Sequence, residues 1–459
     1  MLAPKKLTFE VVTPLYLGGV EPRQRAGPQG EDSPDRVQRD TRIRLRPILS
    51  MWRMWHRALM GAKVGTDNAG LKEIADSERR LFGGGGGNAT AGAFRARLVE
   101  ESNVDLRTFT ERNLQTGGTA EPAHCCYSTY LGYGMASRRE GGQLTEYPRW
   151  AIAPGAKFAV EVLAEDSTWP DLEMAIDTWV HCGGLGARHR RGLGSIRWAD
   201  RPAERGDFFG GVLTKHVGGG ASFSDEPAFE VLHPDWCRIA VVPMCFGSYV
   251  EALTAIKNQL RIDAGKFVPK NGRFDQPDEI NCANAARSRP VRLPDPVTVP
   301  HFHLSGTGYG WRQRWDDKKN PWRLQKKTIA GRDFAFYWGR DHDQAQIVKG
   351  GRATGRTIQL QNVSFGLPEA YSTWKVMIEA VLGDKEIRRP SPISFRVYKL
   401  EDQKYQVAVL LFKSRFLPRG AAIKAKLHGR EQCDVAPPTV WRYLDNFFDA
   451  CNGTVVFGR

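Results

Sequence analysis

Apolar and polar residues alternate loosely from Lys5 to Val12, which predicts a strand, and from Ile48 to Leu59 the rhythm changes. There Ile48, Met51, Trp52, Trp55 and Leu59 recur at helical spacing behind Pro47, a residue suited to a first helical turn. Ala93–Val99 and Lys157–Leu163 predict two further strands. Pro170–Cys182 predicts a second helix with Leu172, Ile176, Trp179 and Val180 on one stripe, its start favoured by Asp171 and Glu173. Ser195–Trp198 predicts a closing strand.

The second half repeats this order. Arg238–Cys245 predicts a strand and Tyr249–Leu260 a helix carrying Leu253, Ile256 and Leu260. Ile393–Phe412, broken at Glu401–Lys404, predicts a hairpin, and Val440–Cys451 a helix before the strand Thr454–Phe457. Both halves therefore read βαββαβ, and the expected fold class is α+β: two ferredoxin-like (RRM-like) domains in tandem with long insertions. The expected division is residues 1–205, a linker region 206–235 around Gly218-Gly219-Gly220, and 236–459 with a weakly periodic insertion over about 261–363.

Charge changes this picture. The 459 residues carry a formal net charge of +15, which points to a polyanionic partner. No run of 18 or more apolar residues exists, and Met1-Leu2-Ala3-Pro4-Lys5-Lys6 lacks the apolar core of a signal peptide, so a cytoplasmic protein without a membrane partner is expected. The eight cysteines are scattered without a C-x-x-C pair and read as reduced thiols.

Three segments combine cations with nucleic-acid-binding chemistry. Gly183–Gly194 holds five glycines and three arginines with no acidic residue between His181 and Ala199. Gly183, Gly184, Gly186 and Gly192 could bring backbone N–H groups close to a phosphate while Arg188, Arg190 and Arg191 chelate its oxygens; a structural turn or a subunit joint is the competing reading. From Arg36 to Arg57 seven arginines face one acid, Asp40. Within that stripe Arg46, Arg53 and Arg57 are candidate RNA contacts, the last two sharing a helix face four residues apart. Trp311–Arg340 sets four tryptophans among nine basic residues and three acids, and Trp315, Trp322 and Arg323 suit single-stranded RNA or a protein interface.

Catalytic and metal chemistry have thinner support. His181 and His189 could each activate a ribose 2′-OH, but the sequence places no Tyr or Lys partner beside them. His301-x-His303 and Cys125-Cys126 do not close a four-ligand zinc pattern, and Asp316-Asp317 with Asp341-x-Asp343 lack a third carboxylate. The expectation is no catalytic residue, no metal and no cofactor.

Leu7–Gly19, Arg53–Leu59, Glu78–Gly83 and the Gly183–Gly194 loop follow in order a pattern that resembles the RAMP superfamily, and most of all its subunit conventionally numbered first in the Cmr complex of type III-B CRISPR-Cas systems. Arg388-Arg389-Pro390-Ser391-Pro392-Ile393 and Phe416-Leu417-Pro418 resemble that subunit's second half, while Leu49-Ser50 stands where the family usually has a basic residue and a glycine. The resemblance implies a non-catalytic subunit that contacts CRISPR guide RNA and complementary target RNA near the guide 3′ end, beside other Cmr subunits, with Arg388 and Arg389 added to the RNA-binding set. The alternative it leaves is a metal-independent endoribonuclease that processes guide RNA.

Overall fold

The computed structural model describes residues 4–17, 42–85, 89–108, 131, 138–140, 143–146, 150–201, 207–218, 220–263, 323–329, 332–338, 358–359, 366–367, 369–371, 376–427, 430–436 and 440–459. The fold is mixed α+β with antiparallel sheets. It divides into two compact units, one of Met1–Ile256, Ser394–Ser414 and Gly453–Arg459, the other of Lys257–Ile393 and Arg415–Asn452.

The first unit begins with β1 (Lys5–Val11), α1 (Leu45–Val64), α2 (Asn68–Phe82), β2 (Phe94–Ser102), β3 (Lys157–Ala164), α3 (Trp169–Cys182) and β4 (Ile196–Trp198). Its sheet runs β2-β3-β1-β4, all neighbours antiparallel. Alternation along β1 turns Leu7, Phe9 and Val11 to one face, and register sets Phe9 opposite both Phe158 and Trp198. The Phe9 ring stacks on Trp198 at 4.7 Å and meets the edge of Trp179 at 5.3 Å, and Trp179 touches Trp52 of α1 at 6.2 Å. Helices and sheet thus close over one aromatic core.

Helix α1 starts three residues earlier than the apolar spacing predicts, because Pro47 lies within the first turn, where its missing N–H has no helical acceptor to lose. It stops at Gly65, φ 83°. Helix α2 was not predicted at all: its buried positions are Gly70, Ile74, Ser77 and Leu81, too few large apolar side chains to show a stripe. The Asp67 carboxylate fixes its start by accepting from the Gly70 N–H at 2.8 Å.

A second four-stranded sheet holds β5 (Cys237–Phe246), β6 (Ile393–Lys399), β7 (Tyr405–Phe412) and β8 (Thr454–Phe457) in the order β6-β7-β5-β8. Helix α4 (Tyr249–Asp263) follows β5 along the chain and α5 (Val440–Ala450) precedes β8. Counted along the chain, the four strands of each sheet lie in the same order, 2-3-1-4. The stretch read as a linker, 206–235, buries Phe208, Phe209, Leu213, Val217, Val231 and Leu232, starting with a π-helical turn at Asp207–Leu213.

In the second unit Val376–Leu382 is flanked by Glu369–Tyr371 and Ala422–Leu427, and Arg430–Ala436 extends the sheet to Ile358–Gln359. The weakly periodic insertion also contains a hairpin, Arg323–Ile329 with Arg332–Trp338.

Candidate nucleic-acid interface

The loop from Gly183 to Gly194 leaves the C-terminus of α3 and returns into β4. Its backbone donors turn onto the chain itself. Gly183 N–H donates to Trp179 O at 2.8 Å, Leu185 N–H to Gly194 O at 2.8 Å, Ala187 N–H to Tyr16 O at 2.8 Å and Gly194 N–H to Pro14 O at 2.9 Å. Arg191 and Gly192 N–H close a turn onto Arg188 O and His189 O. The Thr13 hydroxyl donates to Gly192 O at 2.7 Å and accepts from Ser195 N–H at 2.8 Å, tying the loop to the end of β1.

The glycines follow the same logic. Gly194 has φ 59°, and a Cβ there would collide with the Leu185 carbonyl; Gly192 has φ 82° and would drive a Cβ into Ile256 Cδ1 at 2.7 Å. Gly183, Gly184 and Gly192 are buried, and Gly186 is half-buried beside the Tyr16 carbonyl. These residues allow close packing of backbone on backbone, and the N–H groups named above are not open to a ligand.

The three arginines diverge. Arg190 forms a two-pronged ion pair with Glu230 at 2.6 and 2.7 Å, both side chains about four-fifths buried. Burial opposes its charge, but Glu230 more than offsets that and raises its pKa. Arg191 is half-buried and bridges in parallel to Phe395 through its backbone. Arg188 is exposed at the tip and adopts φ 62°, a left-handed conformation unusual for a non-glycine residue. Neither Glu230, forty residues away, nor Phe395 carries any local sequence signal of its role.

His189 is turned inward, its Nδ1 3.1 Å from Gly186 O, and burial lowers its pKa. The His181 ring stacks on Phe208 at 4.1 Å, and its carbonyl accepts from the Tyr398 hydroxyl at 2.6 Å. The neighbouring Arg396 is fully buried: its Nη2 donates to Val180 O at 2.7 Å and also to Ile196 O. Burial lowers its pKa to about 10, so the guanidinium stays charged at neutral pH.

The other predicted contacts scatter. Arg46 is exposed in the first turn of α1. Arg53 donates to Phe82 O and Gly83 O at 3.0 and 2.8 Å, capping the C-terminus of α2, where a cation meets the negative helix end. Arg57 pairs with Glu78 across α1 and α2, with one bond at 2.8 Å. In the second unit Arg388 is exposed and Arg389 lies 5.6 Å from the centre of the Phe416 ring. Arg323 opens the first strand of the 323–338 hairpin, while Trp315 and Trp322 lie outside the described residues. His301, His303, Cys125, Cys126, Asp316, Asp317, Asp341 and Asp343 also lie outside them. No group of His, Cys, Asp and Glu among the described residues could hold a metal ion, and no described helix is long and apolar enough to cross a membrane.

Residues 8–197 match the RAMP superfamily, the family whose likeness was read from the sequence. The chain is similar along its length to the crystal structure of Cmr1 from Pyrococcus furiosus in its apo form, at 14% identity and TM-score 0.46, covering 100% of this chain and 99% of that one. A second similar structure is a chain of the type III-B Cmr-beta complex bound to cognate target RNA, at 10% identity and TM-score 0.41, covering 98% of this chain and 100% of that one. No curated protein sequence matches the chain.

Proposed function

We propose that the chain is a non-catalytic RNA-binding subunit of a type III-B CRISPR effector complex, working in the cytoplasm beside other Cmr subunits and holding guide RNA and complementary target RNA near the guide 3′ end. Its scaffold is read as two ferredoxin-like repeats, one within 1–205 and one within 236–459, with 206–235 joining them. The 2-3-1-4 order of both sheets supports that reading. The RAMP match over 8–197 and the net charge of +15 support an RNA partner.

One observation carries the site assignment. Arg188 stands exposed, in a strained left-handed conformation, on a loop tied to the protein by its backbone and by Arg190. Strain of this kind persists where the surrounding structure over-determines it, and it gathers at binding sites. Arg188 is therefore the loop's leading phosphate contact, with Arg46, Arg388 and Arg389 as further basic positions. The inward ring of His189 supports a subunit that binds without cutting. Labelled guide and target RNA incubated with the purified protein should shift to a slower band with strands intact. Discrete shorter products without added metal would establish the endoribonuclease instead.

A further inference from the structure

Four consecutive residues of β6 grip the two ends of the 183–194 loop. Phe395 N–H donates to Arg190 O at 2.8 Å and Val397 N–H to Ser195 Oγ at 3.1 Å. Because side chains two apart share a strand face, Arg396 and Tyr398 reach the same place, the last carbonyls of α3. The Tyr398 hydroxyl takes His181 O, and Arg396 takes Val180 O through Nε at 3.2 Å and Nη2 at 2.7 Å. The same Nη2 also donates to Ile196 O, on the far side of the loop. One guanidinium therefore bridges the carbonyl before the loop and the carbonyl after it. Among the described residues no carboxylate pairs with this charge: Nε and Nη2 donate to backbone carbonyls, and Nη1 is buried without a hydrogen-bond partner there. A buried cation held in this way is costly to keep unless its geometry is needed.

We infer that Arg396 is a positioning residue for RNA binding: it staples the loop closed so that Arg188 is held in its left-handed, outward conformation. This rests on the reading of the loop as an RNA contact. The direct test is Arg396→Met, which keeps the stem and removes the donors, with Arg396→Lys able to reach only one of the two carbonyls. Hydrogen exchange of the full chain, read by mass spectrometry, should be at least tenfold faster across residues 185–194 in Arg396→Met and less accelerated in Arg396→Lys, with β1 and β3 unchanged. RNA affinity should fall in Arg396→Met, and Arg188→Ala combined with it should bind no worse than Arg188→Ala alone. If Arg396→Met fails to fold, Tyr398→Phe, which removes the hydroxyl that donates to His181 O, should give a smaller acceleration in the same segment. Unchanged loop exchange in whichever variant folds, or acceleration spread equally through β1 and β3, overturns the inference. If Arg188→Ala leaves RNA binding untouched, the RNA reading of the loop fails, while the exchange data still decide what Arg396 does.

Discussion

Replacing Arg190 by methionine keeps the aliphatic stem and removes both bonds to Glu230. Hydrogen bonds to a charged group contribute about 1.5–3 kcal/mol each, but two bonds in one fork share a single geometry and do not simply add. Stranding a fully buried partner costs ~3–5 kcal/mol, and Glu230, with 19% of its side chain exposed, keeps part of its hydration. The expected loss of stability is therefore ~2–3 kcal/mol. Urea unfolding followed by tryptophan fluorescence reads it, and adding Glu230→Gln to the Arg190 variant should recover ~1 kcal/mol, because the largely buried side chain no longer carries a charge facing the lost guanidinium. Under the same reasoning, the slope of RNA affinity against salt should not change in the Arg190 variant, since this cation already has its anion. A stability loss below ~0.5 kcal/mol, together with a slope shallower by about 0.7, would mean that Arg190 neutralises an RNA phosphate and that the Glu230 pair is incidental.

Arg188→Ala should show the opposite signature: little change in unfolding and a salt slope shallower by about 0.7, the release expected for one phosphate contact on a single strand. Gly194→Ala combines an unfavourable φ with a collision on the Leu185 carbonyl and should lower stability by ~2 kcal/mol or more, whereas Gly85→Ala, with open space around it, should be nearly neutral in the same melt. Burial pushes the Asp177 carboxyl up from 3.8 to about 6, so the folded state holds a proton that the unfolded state has released. Stability should fall as pH rises from about 4 to about 6 and then level, by up to ~3 kcal/mol. Asp177→Asn, which can still accept from Trp198 Nε1, should flatten that slope in urea titrations across the window.

The periodic elements were legible because each carries its burial pattern within its own residues. Thr454–Phe457 was read at its observed bounds, and α3 within one residue of them. Helix α2 escaped because Gly70 and Ser77 occupy buried positions where a stripe would need larger side chains. The second unit's sheet escaped for a different reason: its strands come from segments as far apart as Ile358–Gln359 and Arg430–Ala436, and only their pairing reveals them. For Arg53 and Arg57 the shared helix face was read correctly from spacing. What spacing could not supply was the partner, the end of α2 for one and Glu78 for the other, because α2 itself was invisible.

The glycine loop shows why composition alone does not tell a phosphate cradle from a structural turn. Glycine and arginine in alternation satisfy two different needs: backbone approach to an anion, and backbone approach to another part of the same protein. They differ only in where the N–H groups end, a long-range property. Here Ala187 and Gly194 donate to Tyr16 and Pro14, and Arg190 meets Glu230, each residue forty or more positions from its partner along the chain. A loop tied down this completely cannot reshape itself around a ligand, so any recognition must use what it presents in advance. That reasoning removes the buried glycines and Arg190 from the list of contacts worth mutating for affinity, and leaves Arg188 as the residue at which a binding defect without a folding defect should first be sought.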